Sequence, residues 1–174
     1  MRDTEIIESL RTCLTVSVGR HLYGVLGSYQ KLRAFAETLQ QATTPDGKPF
    51  PAPLSVNKGI LESIPDTEFR WLVENEAKRP EPTAAHVAQA FERFLRSHLK
   101  SESILVLANF EMLFAYNIEL SLLRTLARDE DRMLLLLPGR RSSGRVIMFP
   151  DLDRGSYTLP TNLIAENHLW ELRD

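Results

Sequence analysis

Cysteine is almost missing from this chain: Cys13 is the only one in 174 residues. A lone thiol excludes an internal disulfide and fits a reducing cytoplasm. The four histidines, His21, His86, His98 and His168, share no metal-site spacing and Cys13 gives them no partner, so no metal is expected. No G-x-S-x-G elbow occurs, and no Cys-His or Ser-His-acid system can be assembled from the pattern. Long hydrophobic runs are also lacking. The longest, Ile104 to Ala108 and Met133 to Leu137, are far too short to span a bilayer. The charged opening Met1-Arg-Asp-Thr-Glu-Ile has no secretory apolar region. A soluble cytoplasmic protein without membrane contact is expected. Neither sign of charge dominates: the formal charge is −2 and the pI about 6.1, so any contact with nucleic acid must come from a local patch. There is no internal repeat and no low-complexity tract.

What is present is the composition of an ordinary globular chain, 43% hydrophobic and 25% charged. The length suits one domain over residues 1–174, burying roughly 70% of the surface of the unfolded chain. Thr4 can cap a short helix through Leu10, and the mixed β-branched segment from Leu14 to Tyr23 reads as a strand that Gly19 could end early. Ser28 opens a helix with Leu32, Phe35, Ala36 and Leu39 on one stripe. Residues 43–53 hold four prolines and a glycine, hence a long loop. Leu54 to Val56 suits a short strand, and Gly59 to Pro65 a turn of helix. After the proline-rich Arg79-Pro-Glu-Pro-Thr83, Thr83 is placed to cap an amphipathic helix from Ala84 to Leu99. Trp71, in Phe69-Arg-Trp-Leu-Val, suits either a packed position or an interface anchor.

The second half is more strongly patterned. Ser103 to Leu107 and Met133 to Leu137 are nearly continuous apolar runs of strand length, as in a parallel sheet covered on both faces. Ile118, Leu122, Leu123 and Leu126 recur between them at helical spacing, giving a βαβ unit with a right-handed crossover. Pro138-Gly139 is expected to end the second strand. Gly144 to Phe149 reads as another strand, with Tyr157 to Leu159 and His168 to Trp170 as short edge strands. The fold class that follows is α/β: a three-layer sandwich with a mainly parallel sheet, P-loop NTPase-like, with antiparallel C-terminal strands.

The P-loop comparison rests on residues 21–32. A phosphate loop reads G-x-x-x-x-G-K-[ST] between strand and helix, so that backbone N–H groups cradle phosphates, a Lys reaches them and a hydroxyl holds Mg²⁺. With Gly24 as the first glycine, Tyr29 takes the second glycine's place, Gln30 the lysine's and Lys31 the hydroxyl's. The register from Gly19 to Gly24 puts Val25 and Leu26 at those last two positions instead. The segment Gly24, Gly27, Ser28, Tyr29, Gln30 and Lys31 is therefore a degenerate nucleotide loop, or a plain strand-to-helix turn capped by Ser28. The second NTPase motif, an apolar strand ending in a metal-holding Asp, is matched at Ile104 to Leu107 but ends in Ala108, with Asn109 and Glu111 beyond. Glu111 suits a solvated helix N-terminal carboxylate, or a catalytic base if any chemistry survives. Loss at Gln30 and at Ala108 removes both ends of one Mg-phosphate clamp.

A third feature is the turn Arg140-Arg141-Ser-Ser-Gly-Arg145, three arginines without an acid. It reads as a solvated loop or as a contact for a phosphate backbone or acidic partner. Without interleaved aromatics, sequence-specific DNA readout is not supported.

The G-x-x-G-S before a helix, Ser55-Val-Asn57, Leu107-x-Asn109-x-Glu111-x-Leu113-Phe114, the Leu-Leu-Arg at 122–124 and the strand closing in Pro138-Gly139 together resemble the BrxF-like family of small P-loop proteins of bacterial BREX bacteriophage-exclusion systems. The resemblance spans roughly residues 14–150. It implies a role in a multi-protein phage-defence complex whose other subunits are the partners, with self-association and indirect nucleic-acid contact left open. The departures at Tyr29, Gln30, Lys31 and Ala108 turn the expected activity from ATP hydrolysis toward a non-catalytic structural or adaptor role. ATP with Mg²⁺ remains the alternative cofactor, in a divergent NTPase using Lys31 and Glu111. Weak DNA contact through Arg140, Arg141 and Arg145 is a third reading.

Overall fold

The computed structural model describes residues 1–151 and 157–173. Its centre is a sheet in the order β2-β3-β4-β1-β7, in which every pair is parallel. The strands are β1 (Leu22–Gly27), β2 (Leu54–Ser55), β3 (Ile104–Ala108), β4 (Arg132–Ser142) and β7 (Leu169–Glu171). Two further strands, β5 (Arg145–Met148) and β6 (Tyr157–Thr158), add on antiparallel to the far end of β4.

The period of two along each strand sorts the side chains onto two faces. Leu22 and Leu26 of β1, Leu105 and Leu107 of β3, and Met133, Leu135 and Leu137 of β4 join one apolar core. Tyr23 and Val25, Ile104 and Val106, and Leu134 and Leu136 join the other. Helices α1 (Asp3–Leu14) and α2 (Tyr29–Gln40) cover the second core. The first is covered by α3 (Val56–Glu62), α4 (Asp66–Asn75), α5 (Pro80–Leu99), α6 (Glu111–Ala115) and α7 (Ser121–Leu126). This is the α/β sandwich expected, because strands apolar on both faces need helices on both. The helix stripe Leu32, Phe35, Ala36 and Leu39 is buried as its spacing requires.

Several boundaries differ from the local reading. The segment expected as a strand from Leu14 to Tyr23 instead ends α1 at Leu14, and the strand begins at Leu22. All six residues of β1 are buried, including Gly24 and Gly27, which puts them in the sheet and not in a loop. Helix α1 starts at Asp3, with Arg2 and not Thr4 as its cap residue: the Glu5 carboxylate accepts from the Arg2 backbone N–H at 3.0 Å and from its Nε at 2.9 Å. Helix α5 starts at Pro80, where a missing N–H costs nothing in the first turn. Thr83 is therefore not its cap; its hydroxyl is buried and donates to the Arg79 carbonyl at 3.0 Å. Helix α4, over the Trp71 segment, has no counterpart in the sequence reading; Trp71 is part-exposed, its ring 5.8 Å from that of His86. The crossover between β3 and β4 is two short helices, separated where Asn117 takes a φ of 53°.

Pro138 and Gly139 do not end β4. The strand leaves the parallel sheet after Pro138, which is level with Gly27, and continues into a hairpin with β5. Gly139 permits this close pass, since a Cβ there would lie 2.7 Å from the Ile147 carbonyl oxygen. The turn Ser143-Gly144 has positive φ at both residues (49° and 76°), the two-residue turn whose twist matches a hairpin. The C-terminal additions are antiparallel at β5 and β6, whereas β7 lies parallel on the outer side of β1. Among the described residues no helix is long and apolar enough to cross a membrane.

Candidate functional site

The carboxyl ends of parallel strands are where α/β folds collect ligands. Here that edge carries Gly27 and Ser28 after β1, Ser55 after β2, and Ala108 and Asn109 after β3. Between β1 and α2 stands one residue, Ser28. Its Oγ accepts from the Lys31 backbone N–H at 3.4 Å and its carbonyl from that of Leu32 at 2.9 Å, so the helix caps itself. A phosphate cradle needs a run of loop residues to wrap the anion, and β1 passes into α2 without one. The glycines have another purpose. A Cβ on Gly24 would sit 2.7 Å from both Ile164 Cδ1 and Leu169 Cδ1, so Gly24 is a packing glycine in a central strand. Gly27 is similar but looser, with Leu172 Cδ1 at 3.1 Å from the same imagined atom. Tyr29, Gln30 and Lys31 form the first turn of α2.

Tyr29 reaches across the strand ends. Its hydroxyl donates to Glu111 Oε1 at 2.6 Å, and the other carboxylate oxygen accepts from Asn57 Nδ2 at 2.8 Å. Asn57 does more: its Oδ1 accepts from the Met112 backbone N–H at 3.0 Å, and its own N–H donates to the Asn109 carbonyl at 3.1 Å. Phe110, the residue before α6, offers no side-chain cap, so Asn57 caps α6 from a neighbouring helix. Asn109 turns the chain out of β3 with a φ of 58°, a left-handed conformation that asparagine tolerates. Burial, and then Glu111 as acceptor and neighbouring charge, hold the Tyr29 phenol well above its ordinary pKa. Tyr29 is thus a neutral donor at any physiological pH.

Beside this network, under the first turns of α2, lies a cavity of about 360 Å³. Leu32, Ala36 and Leu136 form its apolar wall, with Tyr29, Arg33 and Asn109 at its polar side. Ala108 also lines it and offers no oxygen to a metal. Neither Glu111 oxygen is left without a side-chain donor. The residues where an NTPase holds Mg-phosphate therefore do not fit that group. Among the described residues no three His, Cys, Asp or Glu side chains cluster as metal ligands.

The arginine turn is the β4–β5 hairpin. Alternation puts Arg140 on one face and Arg141 on the other, with Arg145 opposite Ser142 at the tip, so the three do not form one patch. Arg141 is engaged: its guanidinium donates to Glu166 at 2.5 Å and to the Leu169 carbonyl at 2.8 Å. Arg141 and Arg145 line a groove of about 980 Å³ that also takes in Arg20, from the segment before β1. This groove and the cavity beside Tyr29 share no lining residue. Asn57, Arg33 and Arg20 belong to no motif; only the Ser55-Val-Asn57 match marked the first of them.

Comparison of the chain with protein-family models, with curated proteins and with solved structures gives no match in any of the three.

Proposed function

We propose that this protein is a non-catalytic subunit, a P-loop NTPase-like sandwich that has given up phosphate chemistry and acts as a structural or adaptor component. One observation carries the reading: Tyr29, at the position where an NTPase keeps its second glycine, puts its hydroxyl on Glu111, the acid just beyond the Ala108 position. The ring adds bulk where a phosphate loop needs bare backbone, and the bond occupies the one acid left near the second motif. Gln30 and Ala108 supply neither cation nor metal ligand. What remains is a fold whose strand ends are tied to each other.

The assembly to which we assign it is a bacterial anti-phage system of the BREX type, working in the cytoplasm. Support comes from the likeness of residues 14–150 to BrxF-like proteins and from the lone Cys13, whose part-buried thiol burial pushes above its ordinary pKa. A second reading, a divergent nucleotide-handling subunit using Lys31 and Glu111, is favoured by the cavity beside α2. It requires Glu111 to release Tyr29 or Asn57 before it can act as a base.

Calorimetric titration with ATP, ADP and GTP, with and without Mg²⁺, separates the two. The adaptor reading expects no heat and no thermal stabilisation at millimolar nucleotide; micromolar binding overturns it. Deleting the gene in its host and restoring it tests the defence assignment, since phage plating that ignores both steps removes it.

A further inference from the structure

We propose that the groove between the β4–β5 hairpin and the segment before β1 holds the phosphate backbone of duplex nucleic acid, independent of sequence. This goes beyond the adaptor reading, which gives the hairpin no ligand. Among the described residues the groove, about 980 Å³, is lined by Arg20, Arg141 and Arg145, with Thr158, Thr161 and one acid, Glu166. Glu166 is already committed to Arg141. Arg20 and Arg145 are exposed and make no ion pair or hydrogen bond through their guanidinium groups among the described residues. Arg20 and Arg145, both uncommitted, line one groove, a charge pattern that phosphate oxygens complement, because each guanidinium presents paired donors in a plane. Hydroxyl groups are the other common donors to a nucleic-acid backbone.

Among the described residues the lining contains no aromatic ring, so bases of a single strand would find nothing to stack on there. That favours a duplex, whose phosphates present themselves without unstacking. The arginines come from places far apart in the chain, Arg20 before β1 and Arg145 at the hairpin tip, and only the bend of β4 over the sheet brings them to one groove. With a chain charge of −2, there is no general field to add to this local one. Contact is therefore weak, and depends on these side chains.

The test is fluorescence anisotropy of a labelled random-sequence duplex with the full chain, over a range of salt. The expected result is binding at low salt whose log K against log salt has a slope of about −2 to −3, from two or three phosphates at about 0.9 each. Arg20→Gln and Arg145→Gln should each remove about one from that slope, and together they should abolish binding, with thermal midpoints unchanged. Arg33→Gln, outside the groove, should leave binding intact. No binding at low salt, equal loss with Arg33→Gln, or persistence in the double variant would each overturn the proposal. So would capture of a labelled poly-glutamate peptide through Arg20 and Arg145 while duplex DNA fails to compete, which would make the occupant an acidic protein.

Discussion

Tyr29 and Glu111, 82 residues apart in the chain, meet at 2.6 Å over the carboxyl ends of β1 and β3. The bond joins the start of α2 on one face of the sheet to the start of α6 on the other. It is a charge-assisted bond at a site that water reaches, so its worth is that of an ordinary polar contact.

Tyr29→Phe removes the donor and leaves the ring. Stability in urea should fall by about 1 kcal/mol. In a double-mutant cycle with Glu111→Ala, which removes the acceptor, the two losses should be less than additive, since they delete the same bond. Full additivity would mean that the pair does not interact in solution.

The Asn57 side chain makes two hydrogen bonds, to Glu111 and to the Met112 N–H, so Asn57→Ala, which keeps the backbone bond to Asn109, should cost more than Tyr29→Phe, about 2 kcal/mol. Asn57→Asp keeps the acceptor for Met112 but sets a second carboxylate against Glu111. Its loss should be greatest at neutral pH and shrink as acid protonates one of the two. Denaturation midpoints at neutral and mildly acidic pH check this ordering.

Gly24→Ala should destabilise by about 1–3 kcal/mol, the usual cost of an overpacked core. Gly27→Ala should cost less, because its nearest neighbour is a movable Leu172 methyl group at 3.1 Å. If Gly24 were retained for phosphate, its replacement would leave stability nearly unchanged, and thermal melts of the two variants decide the matter.

The combined variant Tyr29→Gly, Gln30→Lys and Ala108→Asp restores the missing residue types but not the missing loop. With one residue between β1 and α2, it should gain no measurable ATP affinity by calorimetry. Binding by this variant would show that the end of β1 can unravel into a phosphate cradle.

His21 and His168 form an acid-sensitive pair at the opposite end of β1. His21 is buried, its Nδ1 2.7 Å from the Tyr23 hydroxyl, and among the described residues its Nε2 has no hydrogen-bond partner and the Nδ1 of His168 has none either. Burial first, and then Arg132 and His168, push the His21 pKa below its ordinary value, against smaller opposing effects of Asp129 and Glu130. Burial lowers that of His168, partly offset by its hydrogen bond to the Leu22 backbone. Both are therefore harder to protonate folded than unfolded. The stability they permit is complete above the unfolded value of about 6.5 and is lost as pH falls below it toward the depressed folded values. A melting midpoint that is flat from neutral pH down to the carboxylate range would contradict this, and His168→Gln should flatten part of the slope.

Residue type and period alone determined the layers. Apolar runs such as Ile104 to Leu107 and Met133 to Leu137 must be covered on both faces, and the stripe from Leu32 to Leu39 supplies one cover, so a parallel sheet between helices follows from local pattern. The loss of phosphate chemistry at Gln30 and Ala108 is also written in residue identity, because no packing can give an alanine a carboxylate. Tertiary structure decided the rest. Gly24 looks like a loop glycine until Ile164 and Leu169, some 140 residues on, crowd its Cα and hold it inside a central strand. Pro138-Gly139 looks like a stop until β5 pairs across it. Arg20 and Arg33 carry no local signal, and nothing local gives Asn57 its partners, since a hydrogen bond or a shared groove depends on which surfaces the fold brings within a few ångströms, and that distance is set by long-range packing.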